Sequence, residues 1–145
     1  FRGPAQIQLV VDLLLARGCS LWHACQLTDL ESYLALGGIP SRSLIEQAGI
    51  AFTPFATDAS DRSKGVWSKV FVNLSDFGKS FAYRAAAVPN PYGPIVFQIR
   101  PSALLRASDV SITLRSAGAH DFDRDAGLAQ PRHIIVVGKV GPCTL

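Results

Sequence analysis

The sequence predicts a single α+β domain with a mixed, mostly antiparallel β-sheet and helices mainly in its N-terminal half. Three observations predict it. Helical spacing and helix-stopping glycines crowd residues 4–49, period-two alternation of apolar side chains dominates beyond residue 66, and the strand runs are joined by loops or hairpin-like connections. With 145 residues, 48% hydrophobic and 17% charged, the chain can form one core burying roughly 70% of its unfolded surface, and a second core is not expected. The expected organisation is an N-terminal helix over 1–18 and one domain over 19–145, with a distinct tail from about residue 130.

Residues 4–17 place Ile7, Val10, Val11 and Leu14 at helical spacing, with Pro4 suited to the first turn and Gly18 to the stop. Leu9, Leu13 and Leu15 widen the apolar surface, so this helix is expected to be largely buried or covered by a partner. Residues 19–25 read as a strand carrying His23 between Trp22 and Ala24. A capping box, Thr28-Asp29-Leu30-Glu31, then predicts a helix start, with Leu30, Tyr33 and Leu34 on one face and Gly37-Gly38 as the stop. Ser43-Leu44-Ile45-Glu46 repeats the box and predicts a short helix ending at Gln47 or Ala48 before Gly49.

Residues 51–67 are polar, mixed in charge and aperiodic, which predicts a long surface loop facing a ligand. Val70, Val72 and Leu74 mark a strand within 66–74. Ser75 would cap a helix through Asp76, Phe77, Phe81 and Tyr83 to about residue 87, and VPNPYG would break it. Residues 94–100 form the clearest strand, with Ile95, Phe97 and Ile99 on one face. A helical turn over 101–105, a strand over 109–115, a polar loop over 116–131 and a last strand over 133–137 complete the reading.

Several classes are excluded. The apolar run around residues 9–16 is interrupted by Asp12 and stops at Arg17-Gly18, far short of the ~20 residues that a membrane span needs. The opening FRGPAQ has no basic-then-apolar leader, so no intact signal peptide is expected. Cys19, Cys25 and Cys143 are odd in number and lack C-x-x-C spacing, which argues against a disulfide framework or zinc site and for a reducing cytoplasm. A net charge of +3 permits a nucleic-acid partner without requiring one. Neither phosphate-binding glycine motif follows a strand, and there is no G-x-S-x-G elbow or H-E-x-x-H pair.

The segments LWHAC, LESYL and GGIPSR, over residues 21–42, resemble the opening of DarT-type ADP-ribosyltransferases. In that family an aromatic-His-x-Thr unit leads into a helix and then a Gly-Gly-x-x-Ser turn. The later PYGPIVF and PSALL, over residues 91–105, are similar to the family's middle strand, and the likeness runs from about Leu21 to Ser116. Aromatic-His-x-Thr followed by a helix and glycine also occurs in tRNA 2′-phosphotransferases, which share the NAD-binding fold.

The resemblance implies a small split sheet that grips NAD, with cytoplasmic transfer of ADP-ribose to single-stranded DNA and an antitoxin protein as a further partner. The alternatives are a catalytically inactive binding module and a tRNA 2′-phosphotransferase-like RNA enzyme. His23 and Arg62 would be catalytic, while His23, Cys25, Arg42 and Tyr92 would bind the dinucleotide; no metal is implied. A neutral imidazole both donates and accepts, which suits it to a vicinal diol. Cys25 stands where the family carries Thr. The only two glutamates, Glu31 and Glu46, read as capping residues, so the family's acid would have to come from Asp121, Asp123 or Asp125. An aspartate is one methylene shorter, and a displacement of about 1 Å can cost ~10²-fold in rate. His120 and His133 read as structural or exposed, Trp22 as core and Trp67 as a loop anchor.

Overall fold

Five antiparallel strands and four α-helices build the described part of the fold, an α+β arrangement. The structure is a computed structural model that describes residues 1–74, 93–113 and, as backbone, 133–137. The helix expected from Ser75, Tyr92, the loop carrying Asp121, Asp123 and Asp125, and the tail after residue 137 lie outside the described residues.

Helix α1, Pro4–Ala16, buries Ile7, Val10, Val11 and Leu14, the stripe that its spacing predicts. Burying each of these side chains is worth roughly 1.5–3 kcal/mol. The stripe packs against a 3₁₀ helix, Pro101–Arg106, and joins one core with Leu21, Cys25, Ile45, Val70, Leu104 and Val110. The expectation of a largely buried helix is corrected in part: Leu9 (70% exposed), Leu13 and Leu15 face solvent.

Strand β1, Leu21–Cys25, leads into helix α2, Leu27–Leu36, and helix α3 spans Arg42–Gln47. Gly37 takes the left-handed conformation (φ 69°) that ends α2, and Gly38 N–H donates to the Tyr33 carbonyl at 3.0 Å. Both capping boxes are corrected. Helix α2 begins at Leu27 after an extended Gln26, which makes no side-chain cap bond, so Thr28 lies inside the first turn. The cause lies on the inner face, where Asp29, Ser32 and Tyr33 turn inward together and rotate Leu34 (61% exposed) to solvent. In α3, Ser41 is the cap, accepting from Leu44 N–H at 3.3 Å, because Glu46 is engaged by groups from another segment.

Helix α4, Asp58–Ser63, interrupts the expected loop over 51–67. Strands β2, Lys69–Asn73, and β3, Ile95–Ile99, follow, then β4, Asp109–Thr113, and β5, His133–Val137. The strand order is β3-β1-β2-β5-β4. Three of the neighbouring pairs have a five-residue register: β1 with β3, β2 with β5, and β4 with β5. Between β1 and β2 only Trp22 and Asn73 are in register, so two well-formed ladders meet at one point.

The approach to β3 passes very close to the end of β1. Gly93 has φ +100°, and a Cβ there would overlap the Cys25 carbonyl. Substituting Gly93→Ala combines an unfavourable backbone region with a backbone clash. We expect a loss of about 3 kcal/mol, measured as a lower urea midpoint with an unchanged m-value.

Candidate functional site

Where β1 and β2 part, the side chain of His23 takes over the connection between them. His23 Nδ1 lies 2.7 Å from the Phe71 carbonyl oxygen on β2, and Nε2 lies 2.9 Å from the Tyr33 hydroxyl on α2. A carbonyl can only accept, so Nδ1 carries the proton and donates to Phe71. Nε2 then holds the lone pair, and the Tyr33 hydroxyl donates to it. This fixes one neutral tautomer. Desolvation by burial holds the His23 pKa below its ordinary value of 6.5; the Phe71 bond opposes this, Arg42 adds to it and Asp29 opposes it. Burial likewise raises the Tyr33 hydroxyl well above its usual range and pushes the Cys25 thiol up to about 11. Cys25 is therefore a protonated core side chain and not a thiolate nucleophile.

Beside this bridge, Asp29 is buried (1% exposed), and its Oδ1 accepts from the Thr53 backbone N–H at 2.8 Å. The same oxygen is 3.5 Å from Arg42 Nη1, a long ion pair. Ser32 Oγ donates to the Ala51 carbonyl at 3.0 Å, so the inner face of α2 anchors residues 51–53 through two polar side chains. Those anchors set the aromatic residues of the segment. The Arg42 guanidinium carbon lies 4.8 Å from the Phe52 ring centroid and 5.0 Å from that of Phe55. A guanidinium flanked by two rings and backed by a buried acidic side chain is held in a set direction.

His23, Cys25 and Arg42 thus come together around the end of β1. Arg62 belongs to a second cluster, on α4. Its guanidinium donates to Glu46 through Nη2 and Nη1, at 2.7 and 3.3 Å, and lies 3.8 Å from the Trp67 ring centroid. Trp67 Nε1 donates to Glu46 at 3.0 Å, and the Arg62 and Trp67 bonds hold the Glu46 carboxyl below its usual range. Phe52 meets Trp67 edge-on at 6.0 Å and links the two clusters. Tyr92, Asp121, Asp123 and Asp125 lie outside the described residues.

The reading from sequence missed Asp29, Tyr33, Phe52 and Phe55 as site residues. One signal was present: Asp29, Ser32 and Tyr33 stand at i, i+3 and i+4, which places three hydrogen-bonding side chains on one helix face. Nothing comparable marks Phe52 or Phe55. Among the described residues, no group of three or more His, Cys, Asp or Glu side chains is placed to hold a metal ion. None of their helices is long and apolar enough to cross a membrane.

The bridge makes a testable demand on stability. His23→Phe keeps a ring but strips the Phe71 carbonyl and Tyr33 hydroxyl of their partner, which is expected to cost about 3 kcal/mol in denaturant unfolding at pH 7.5. The pH dependence has a definite sign. Because folding depresses the His23 pKa, the neutral side chain contributes fully above the unfolded value of 6.5, and that contribution is lost as pH falls through the folded value. Wild-type stability should fall on acidification below pH 6.5, and His23→Phe should remove that part of the slope in matched unfolding titrations.

No protein-family model and no curated protein matches this chain.

Proposed function

We propose that the protein binds NAD where β1 and β2 part and transfers ADP-ribose from it to single-stranded DNA. The observation that carries this reading is Arg42, a guanidinium held between Phe52 and Phe55 beside the buried Asp29. A dinucleotide presents a doubly charged pyrophosphate next to planar bases. Guanidinium and ring faces in one place suit both parts. The chain also resembles DarT-type ADP-ribosyltransferases around His23 and the Gly37-Gly38 turn.

In this reading Arg42 neutralises the pyrophosphate, and the Phe52 and Phe55 rings orient it. His23 and Tyr33 form a prealigned hydrogen-bonded pair whose fixed tautomer gives the wall of the site one defined polarity. Bound NAD supplies an anomeric carbon whose bond to nicotinamide breaks through an oxocarbenium-like transition state as the acceptor attacks. Tyr33 keeps its proton through burial, so its hydroxyl serves as a donor and an acceptor but not as a base.

A second reading has its own support. The chain has two glutamates; Glu31 is exposed on α2, and Glu46 is held by Arg62 and Trp67. Neither is bonded to His23, and both ring nitrogens of His23 already have protein partners. These features favour a module that binds the dinucleotide without turning it over.

Calorimetric titration with NAD, coupled to mass analysis of a single-stranded oligonucleotide incubated with protein and NAD, separates the two readings. We expect saturable NAD binding by the wild type, weakened about tenfold or more in Arg42→Ala, and a mass gain of one ADP-ribose on the DNA. Binding without a mass gain selects the module. No NAD binding by the folded wild type rules out both.

A further inference from the structure

We infer that the stack of Arg62 on Trp67 is the surface on which an unpaired base of the single-stranded DNA acceptor lies, an inference that rests on the transfer reading above. Three side chains from separate segments make one flat unit: Arg62 from α4, Trp67 from the turn before β2 and Glu46 from α3. The Arg62 guanidinium carbon lies 3.8 Å from the Trp67 ring centroid, which is van der Waals contact with the ring face. Its Nη2 and Nη1 donate to Glu46, and Trp67 Nε1 donates to the same carboxylate. Glu46 thus ties the cation and the indole together along their edges, while the indole covers one face of the guanidinium. The Arg62 side chain is 48% exposed, so its other face meets solvent.

This unit offers a plane rather than a charge. Glu46 balances Arg62, and a phosphate would have to displace a carboxylate that already takes a bond from each Nη. What remains for a ligand is the guanidinium face, and the flat group of a nucleic acid that stacks on such a face is the base. Bases within a duplex are stacked on one another, whereas those of a single strand are open to the contact. An exposed ion pair contributes little to stability by itself, so it is a weak reason for ordering three large side chains in one geometry.

Position joins the stack to the dinucleotide site. The Ser43 backbone N–H donates to the Trp67 carbonyl at 3.1 Å, and Ser43 directly follows Arg42. The Phe52 ring meets Trp67 edge-on at 6.0 Å and lies 4.8 Å from the Arg42 guanidinium carbon. A base stacked on Arg62 is thereby a neighbour of a dinucleotide held by Arg42, the arrangement that transfer from one to the other requires. Lys64 at the end of α4 and Lys69 at the start of β2 add positive charge to the same stretch of chain, which favours a polyanionic strand.

The test follows binding of a labelled single strand of about 12 nucleotides to the whole chain by fluorescence anisotropy, without NAD, beside a duplex of the same sequence. Arg62→Lys keeps the positive charge for Glu46 but loses the plane. The wild type should bind the single strand about tenfold or more tighter than the duplex, and Arg62→Lys should weaken single-strand binding about tenfold. The NAD affinity and melting temperature of the variant should stay at wild-type values, because Arg62 is exposed and the dinucleotide is held by Arg42. Unchanged single-strand affinity in Arg62→Lys overturns the inference, and so does equal binding of the duplex, which signals contact with phosphate alone. A melting temperature lower by more than about 3 °C in the variant marks a structural brace and overturns it as well. A wild type that binds NAD but not the single strand overturns the inference and leaves dinucleotide binding standing. One that binds the single strand as expected but not NAD keeps the stack as a DNA surface and removes the transfer reading.

Discussion

The structure depends on a side chain doing the work of a backbone ladder. Strands β1 and β2 share one registered pair, Trp22 with Asn73, and immediately beyond it the Phe71 carbonyl accepts from His23 Nδ1. Without that bond Phe71 would carry an unsatisfied acceptor at the junction of two ladders, a cost comparable to a lost hydrogen bond. Because the second nitrogen of the same ring accepts from Tyr33, the bridge also fixes α2 against the sheet. One imidazole therefore sets the relation of two strand ladders and a helix.

The position of α2 in turn determines the segment that carries the aromatic rings. Tyr33, Asp29 and Ser32 share the inner face of that helix, so the rotation that brings Tyr33 to His23 also turns Asp29 to Thr53 and Ser32 to Ala51. These two anchors hold residues 51–53, and Phe52 and Phe55 then lie against Arg42 at the start of α3. The order of dependence runs from the imidazole to the helix, to the following segment and to the cation. Glu46, Arg62 and Trp67 brace that segment at its far end, on the solvent side. Exposed ion pairs of this kind stabilise little singly, but the stacked ring restricts the arginine and adds direction.

Legibility followed the kind of interaction. The buried stripe of α1 and the alternating strands were readable because apolar burial repeats with the period of the backbone, and the Gly37 stop because its left-handed conformation excludes most other residues. The capping boxes misled because Thr28, Glu31, Ser43 and Glu46 satisfy a local rule that distant groups override. Asp29 is claimed by Thr53, 24 residues on, and Glu46 by Trp67, 21 residues on. His23 stood out by being polar within a strand, yet its partners were not legible, since no local pattern says which carbonyl a split sheet leaves open. Helix α4 was missed because five of its six residues are polar and none is buried, so it carries no periodic signal.

Arg42 is the charge that reaches furthest through this arrangement. Its charge acts to lower the pKa of His23, Cys25, Tyr33 and Asp61, so one guanidinium influences the protonation of four side chains. An anion bound to Arg42 would offset that influence and favour the protonated form of each. For Cys25 and Tyr33 this reinforces the state that burial already imposes. For His23 it works against the neutral tautomer that holds β1 to β2, and Phe71 retains its bond because Nδ1 remains a donor in either state. The bond to Tyr33 reverses direction, because a protonated Nε2 donates and the hydroxyl turns to accept. Neither connection is therefore lost on protonation of the imidazole: the bond between strands keeps its direction, and the bond between strand and helix exchanges donor for acceptor.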